Sequence, residues 1–209
     1  MALPLVIEKG ATVKHLVLIV FIVCSLMQAQ TIATDFPIEG KQAPSFDLPD
    51  LSMLQHSLAD YLDKPVVINF WTTWCGACAY EFPVLEEFYQ RYGEQVSLVT
   101  ICAGNSQEDA LALVTEKEVS FPVLYDDEEI ISSAYQPPRP HDKRRIVAFP
   151  FTVFIDETGR VTYARIGTFA DIEKMVALLQ EAGVTLTAPS PLPAESVQPI
   201  EHGEKAKEG

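Results

Sequence analysis

Short apolar runs alternate along the middle of this chain with stretches where apolar residues recur every three or four positions. Pro65 to Trp71 (PVVINFW) is a run of the first kind and predicts a strand covered on both faces. After Cys75 the period changes. Phe82, Leu85, Phe88, Tyr89 and Tyr92 fall at helical spacing, and Gly93 marks the end. Val96 to Ile101 predicts a second buried strand, and Ser106 with Asp109 predicts a helix start that carries on to about Lys117. Phe151–Ile155 and Val161–Arg165, joined by Asp156-Glu-Thr-Gly159, predict a hairpin with Gly159 free to take a positive φ. Asp171 to Ala182 predicts an amphipathic helix with Ile172, Met175, Val176 and Leu179 on one side and Gly183 past its end. This order of elements implies an α/β fold, a mixed central sheet with helices on both faces.

The two ends do not share the pattern. Leu16 to Met27 is continuously apolar, with Lys9, Lys14 and His15 before it and Ala29 and Ala33 after it. It is shorter than the roughly 20 residues of a comfortable membrane span. Residues 1–33 therefore read as an export signal or a retained N-terminal membrane anchor, with a core element as the remaining alternative. Ala188 to Gly209 is rich in Pro, Glu and Lys and poor in large apolar residues, the composition of a disordered tail. One domain, residues 40–183, lies between.

Composition adds two bounds. Hydrophobic residues make up 48% of the 209, enough for a packed core in a domain of this size. The formal net charge of −14 argues against nucleic acid, which attracts a basic face.

The chemistry concentrates at Asn69-Phe-Trp-Thr-Thr-Trp-Cys75-Gly-Ala-Cys78-Ala-Tyr-Glu-Phe-Pro83. Strand gives way to helix within this stretch, which sets Cys75 at a helix N-terminus. Free N–H groups and the helix dipole there favour a thiolate. Cys78 follows one turn later, about 5 Å away Cα to Cα, within disulfide reach. Cys75 then serves as nucleophile toward a disulfide and Cys78 as the resolving thiol. Three other readings bear on the pair. A zinc site needs two more ligands, and Cys24, His56, Cys102 and His141 form no second pair at ligand spacing. A purely structural disulfide would close too small a loop to constrain much unfolded chain. A thiol peroxidase would use Cys75 alone. Thr72 precedes it by three, but Ile68 stands where peroxiredoxin-like enzymes carry a proline. Cys102 reads as a buried core thiol, Trp71 as core, and Trp74 as substrate-facing surface.

In sequence the set resembles the thioredoxin superfamily, and within it the TlpA/ResA-like extracytoplasmic thiol–disulfide oxidoreductases. The likeness runs from about Gly40 to Ala182. It takes in Gly40-Lys-Gln-Ala-Pro-Ser-Phe-Asp-Leu48, Leu58 to Pro65, Asn69 to Pro83 with its Glu81-Phe-Pro83, and Phe149-Pro150-Phe151-Thr-Val-Phe-Ile-Asp156. The resemblance implies a thioredoxin-like fold and a cis-proline at Pro150 facing the cysteines. It also implies a substrate peptide paired along Phe149 by strand addition. It implies a reductant acting on protein disulfides outside the cytoplasm, in the periplasm or at the outer face of the membrane, secreted or anchored by the N-terminal apolar segment and fed by a membrane electron donor. No separate cofactor is required beyond the Cys75–Cys78 pair itself. A non-catalytic binding module of the same fold is the alternative class.

Two departures from the family pattern bear on mechanism. Thioredoxins proper hold an Asp six residues before the first Cys; here Asn69 stands there and cannot take a proton. Glu81, three residues after Cys78, is the candidate for proton transfer, against the alternative of a solvated first-turn acid. The second departure is Gln136-Pro-Pro-Arg-Pro-His-Asp-Lys-Arg-Arg145, longer and more basic than relatives use before the proline turn. Arg139, Lys143, Arg144 and Arg145 would suit an acidic partner; a solvated loop is the simpler alternative.

Overall fold

The computed structural model describes residues 36–136 and 147–192. A short antiparallel ribbon, β1 (Asp47–Pro49) and β2 (Gln55–Ser57), precedes a single 3-10 turn at Leu58–Tyr61. The main sheet follows: β3 (Val66–Trp71), β4 (Ser97–Ala103), β5 (Val123–Asp126), β6 (Phe151–Ile155) and β7 (Val161–Ile166). Its order is β5-β4-β3-β6-β7. β3 lies at the centre, parallel to β4 and antiparallel to β6, with every residue buried. That burial explains its unbroken apolar run, since both faces meet protein.

Alternation along β3 divides the core. Val67 and Trp71 face α1 (Gly76–Tyr92), α2 (Gln107–Glu116) and α4 (Ile172–Glu181). Val66, Ile68 and Phe70 face Ile38, Phe46, Leu58 and Tyr135, the last on the short α3 (Ile130–Tyr135). The expected mixed sheet with helices on both faces is present; among the described residues three helices lie on one side and α3 on the other.

Local signals act where the sequence placed them. Ser106 caps α2 by accepting from the Asp109 N–H at 3.1 Å, and Asp171 caps α4 by accepting from Lys174 at 2.7 Å. Gly159 turns the hairpin at φ +79° and Gly183 follows α4 at +94°. On α4 the inward residues are Ile172, Met175, Leu178 and Leu179, with Val176 only half-buried, so the buried stripe is rotated toward Leu178 relative to the expected face.

The ribbon, β5 and α3 have no counterpart in the sequence reading. β5 and α3 are four and six residues long, too short for periodicity to register. The residues after α4 stay on the domain: Thr187 N–H donates to Gln95 Oε1 at 2.7 Å, and Ser190 N–H to Arg91 O at 2.9 Å. The expected tail thus begins against the end of α1, and its later part lies outside the described residues. So do residues 1–33 and the basic cluster at Arg139, Lys143, Arg144 and Arg145. Among the described residues no helix is long and apolar enough to cross a membrane.

Candidate active site

The site begins with an anchor. Trp71, at the end of β3, is fully buried; its ring stands edge-on to Phe82 at 5.0 Å and its Nε1–H donates to Thr100 Oγ1 at 3.2 Å. The chain then crosses to α1 through Thr72, Thr73 and Trp74. Asn105, just past the parallel strand β4, holds this crossing: its Oδ1 accepts from Thr72 Oγ1 at 2.6 Å and from Thr73 N–H at 2.9 Å. Tyr125 in turn donates to the Asn105 carbonyl at 2.5 Å.

Cys75 is the N-cap of α1, and its sulfur accepts from the Cys78 N–H at 3.2 Å. The two cysteines form a disulfide with their Cα atoms 5.3 Å apart, close to the distance expected for one helical turn. Cys75 is 8% exposed, between open residues Trp74 and Gly76, whereas Cys78 is 1% exposed and faces the core. One sulfur thus lies at the rim and the other behind it.

The Phe149–Pro150 peptide is cis. The Gly167 N–H donates to Pro150 O at 2.9 Å, tying this turn to the end of β7. Trp74, 70% exposed, sets its ring edge-on to the half-buried Phe149 at 6.0 Å. That contact brings the cysteine loop and the proline turn onto one face. Gln136 closes the base of the segment before the turn: its Nε2 donates to Ala148 O at 3.2 Å and its Oε1 accepts from Ala148 N–H at 3.0 Å.

Glu81 is fully buried, so it is not a solvated acid. Its Oε1 accepts from Phe169 N–H at 2.6 Å and its Oε2 from Asn69 Nδ2 at 3.1 Å. Burial pushes its carboxyl up to about 7, against the opposing pull of the Phe169 N–H, the Asn69 amide and the Arg165 guanidinium. A carboxyl so placed changes protonation near neutral pH. It lies within one turn of Cys78 on the same helix.

A family model for the AhpC/TSA family matches residues 39–164. The thiol-disulfide oxidoreductase ResA of Geobacillus kaustophilus is 32% identical over 153 residues, covering 69% of this chain and 83% of that one. The chain belongs to the AhpC/TSA family, among its ResA-like thiol–disulfide oxidoreductases. Solved structures agree in fold. A putative thiol:disulfide interchange protein DsbE from Chlorobium tepidum superposes with a TM-score of 0.59 at 24% identity, over 69% of this chain and 96% of that one. A secreted Mycobacterium tuberculosis disulfide oxidoreductase homologous to DsbE gives 0.51 at 22% identity, over 67% and 96%. The thioredoxin-like fold and the thiol–disulfide chemistry of this family member follow.

Every site residue singled out in the sequence that falls among the described residues converges here: Cys75, Cys78, Glu81, Trp74, Phe149 and Pro150. Among the described residues no group of three His, Cys, Asp or Glu side chains is gathered as metal ligands would be. Cys102 is fully buried and its thiol is pushed up to about 12 by that burial, in keeping with a core residue. Sequence reasoning did not find Asn105, Thr152 or the Gly167–Phe169 loop. Thr152 alone carried a signal, as a polar residue inside an otherwise apolar strand. The other contacts are made by backbone groups or by a loop side chain, which no spacing announces.

Proposed function

We propose that this protein reduces disulfides in other proteins outside the cytoplasm. The observation that carries the reading is the pairing of a rim sulfur, Cys75, with a buried sulfur, Cys78, one helical turn from the buried carboxyl of Glu81. In the reduced protein the Cys75 thiolate attacks one sulfur of the partner's disulfide, forming a mixed disulfide and releasing the partner's other sulfur as a thiolate that takes up a proton. Cys78 passes its proton to Glu81 and attacks Cys75 Sγ. The Cys75–Cys78 disulfide forms as the Cys75–partner bond breaks, and the partner's second sulfur leaves as a thiolate that takes a proton from solvent, so the partner has gained two electrons and two protons. A dithiol donor at the membrane restores the reduced pair by the reverse exchange.

Trp74 and Phe149 are the apolar surface on which the partner peptide lies. Pro150 turns the backbone so that the peptide pairs with it across from Cys75. Arg139, Lys143, Arg144 and Arg145, a basic cluster shortly before Pro150 in sequence, steer an acidic partner. The N-terminal apolar segment and the secreted mycobacterial neighbour support action outside the cytoplasm.

The test is an insulin-reduction assay with the wild type, Cys75→Ser and Cys78→Ser. Loss of activity in Cys75→Ser and a trapped mixed disulfide in Cys78→Ser are expected. Turnover retained without Cys75 would remove the reading. The couple's reduction potential decides direction: a value near about −270 mV fits a reductant, and one near about −120 mV an oxidant.

A further inference from the structure

Among the described residues the hydrogen bonds to the buried Glu81 both come from donors. Phe169 N–H serves Oε1 at 2.6 Å and Asn69 Nδ2 serves Oε2 at 3.1 Å. The same Nδ2 donates its second hydrogen to Thr152 Oγ1 at 3.0 Å, and Thr152 is the direct partner of Asn69 across β3 and β6. Asn69 Oδ1, at the other end of the amide, is buried with no hydrogen-bond partner; among the described residues no other side-chain atom is so placed.

This arrangement suits an ionised Glu81. A protonated Glu81 carries an O–H at Oε2, and that hydrogen would face the hydrogens of Asn69 Nδ2. Two buried donors cannot satisfy one another. A half-turn of the Asn69 amide removes the conflict. Oδ1 then lies where Nδ2 was, and its two lone pairs accept from Glu81 Oε2–H and from Thr152 Oγ1–H. Nδ2 takes the position that the carbonyl oxygen left. In the first arrangement the carbonyl oxygen is left without a partner and in the second the NH2 group is; only the second accommodates a proton on Glu81 Oε2, so that proton decides between them.

We propose that Asn69 is a positioning residue for the Glu81 proton, its amide turning over each time Glu81 gains or loses that proton. The inference rests on the reading that Glu81 takes the Cys78 proton. With this device the carboxyl has a matched partner in both protonation states, though it is sealed from water. The carboxyl is on the helix, and a neutral amide on the strand serves it.

The groups facing Glu81 are few. β3 and β6 contribute neutral Asn69 and Thr152, the loop after β7 contributes the Phe169 N–H, and Arg165 contributes a fixed positive charge. On its own helix Cys78 is held in the disulfide. In the oxidised protein the local titration therefore belongs to Glu81.

Nuclear magnetic resonance on the oxidised full chain, labelled at Glu carbons and Asn nitrogens, tests this between about pH 5 and pH 9. The Glu81 carboxyl carbon is expected to titrate. Contacts of the Asn69 amide hydrogens with Thr152 are expected at high pH and should weaken several-fold at low pH. In Glu81→Gln the Phe169 N–H fixes the Gln carbonyl, so its amide donates toward Asn69 and the low-pH pattern should persist throughout. Contacts that stay constant while the carboxyl carbon titrates would overturn the proposal. A carboxyl carbon that does not titrate removes the Glu81 reading and this inference with it. Asn69→Leu should slow resolution of the mixed disulfide about tenfold and leave the first attack by Cys75 unchanged. Equal slowing of both steps would count against it.

Discussion

Glu81 decides more of this site than any residue other than the two cysteines. A carboxyl with no exposed surface is costly to ionise, and its three stabilising neighbours do not cancel that cost, so it titrates near 7 where an exposed Glu titrates near 4.5. The sign of the resulting pH dependence follows. The folded protein holds this proton more tightly than the unfolded chain does, so the contribution to stability is full below about 4.5 and disappears as pH rises through about 7. Its size is on the order of 3 kcal/mol. Denaturant unfolding of the oxidised protein at pH 5 and pH 8 is expected to show the wild type losing more stability than Glu81→Gln across the interval, by most of that amount. Equal losses would mean the carboxyl is not held protonated by the fold.

At the scale of elements, the active face depends on three chain crossings tied to one another. Asn105 after β4 fixes the passage from β3 to α1, Gln136 spans to Ala148 ahead of the proline turn, and the loop after β7 bonds to Pro150 through Gly167 and to Glu81 through Phe169. α4 follows directly after that loop and is packed by Ile172, Met175, Leu178 and Leu179. Its N-cap is Asp171, two residues past Phe169. Removing the cap by Asp171→Ala should cost about 1 kcal/mol of global stability. Thermal and denaturant unfolding measure this, and a change within error would show that α4 is held by its packed face alone.

For the molecule as a whole, a net charge of −14 creates a field that repels acidic proteins from most of the surface. Against that field the four basic residues between Arg139 and Arg145 form a local exception in sequence. If they guide an acidic partner, reversing Arg144 and Arg145 to Glu should slow reduction of an acidic disulfide substrate several-fold at low ionic strength. The difference should shrink as salt screens it over a Debye length of roughly 8 Å at physiological strength. Stopped-flow rates at two salt concentrations check this. A loss that is independent of salt would place the effect in folding, not in steering.

The sequence alone determined those features that rest on near neighbours. The run from Pro65 to Trp71, the period after Cys75, the caps at Ser106 and Asp171 and the turn at Gly159 are each dictated within a few residues. So is the spacing that lets Cys78 reach Cys75. Resemblance, and not spacing, supplied the cis peptide at Pro150. Tertiary structure decided what joins residues far apart in the chain. Glu81 could be written as a candidate from its distance to Cys78, but whether it faced water or the core depended on Phe169, 88 residues away. The alignment of Asn69 with Thr152, 83 residues on, required β6 to settle beside β3 in one register. Protonation near neutral pH arises from that enclosure. Desolvation is a property of the packed assembly, and no short stretch of chain encodes it.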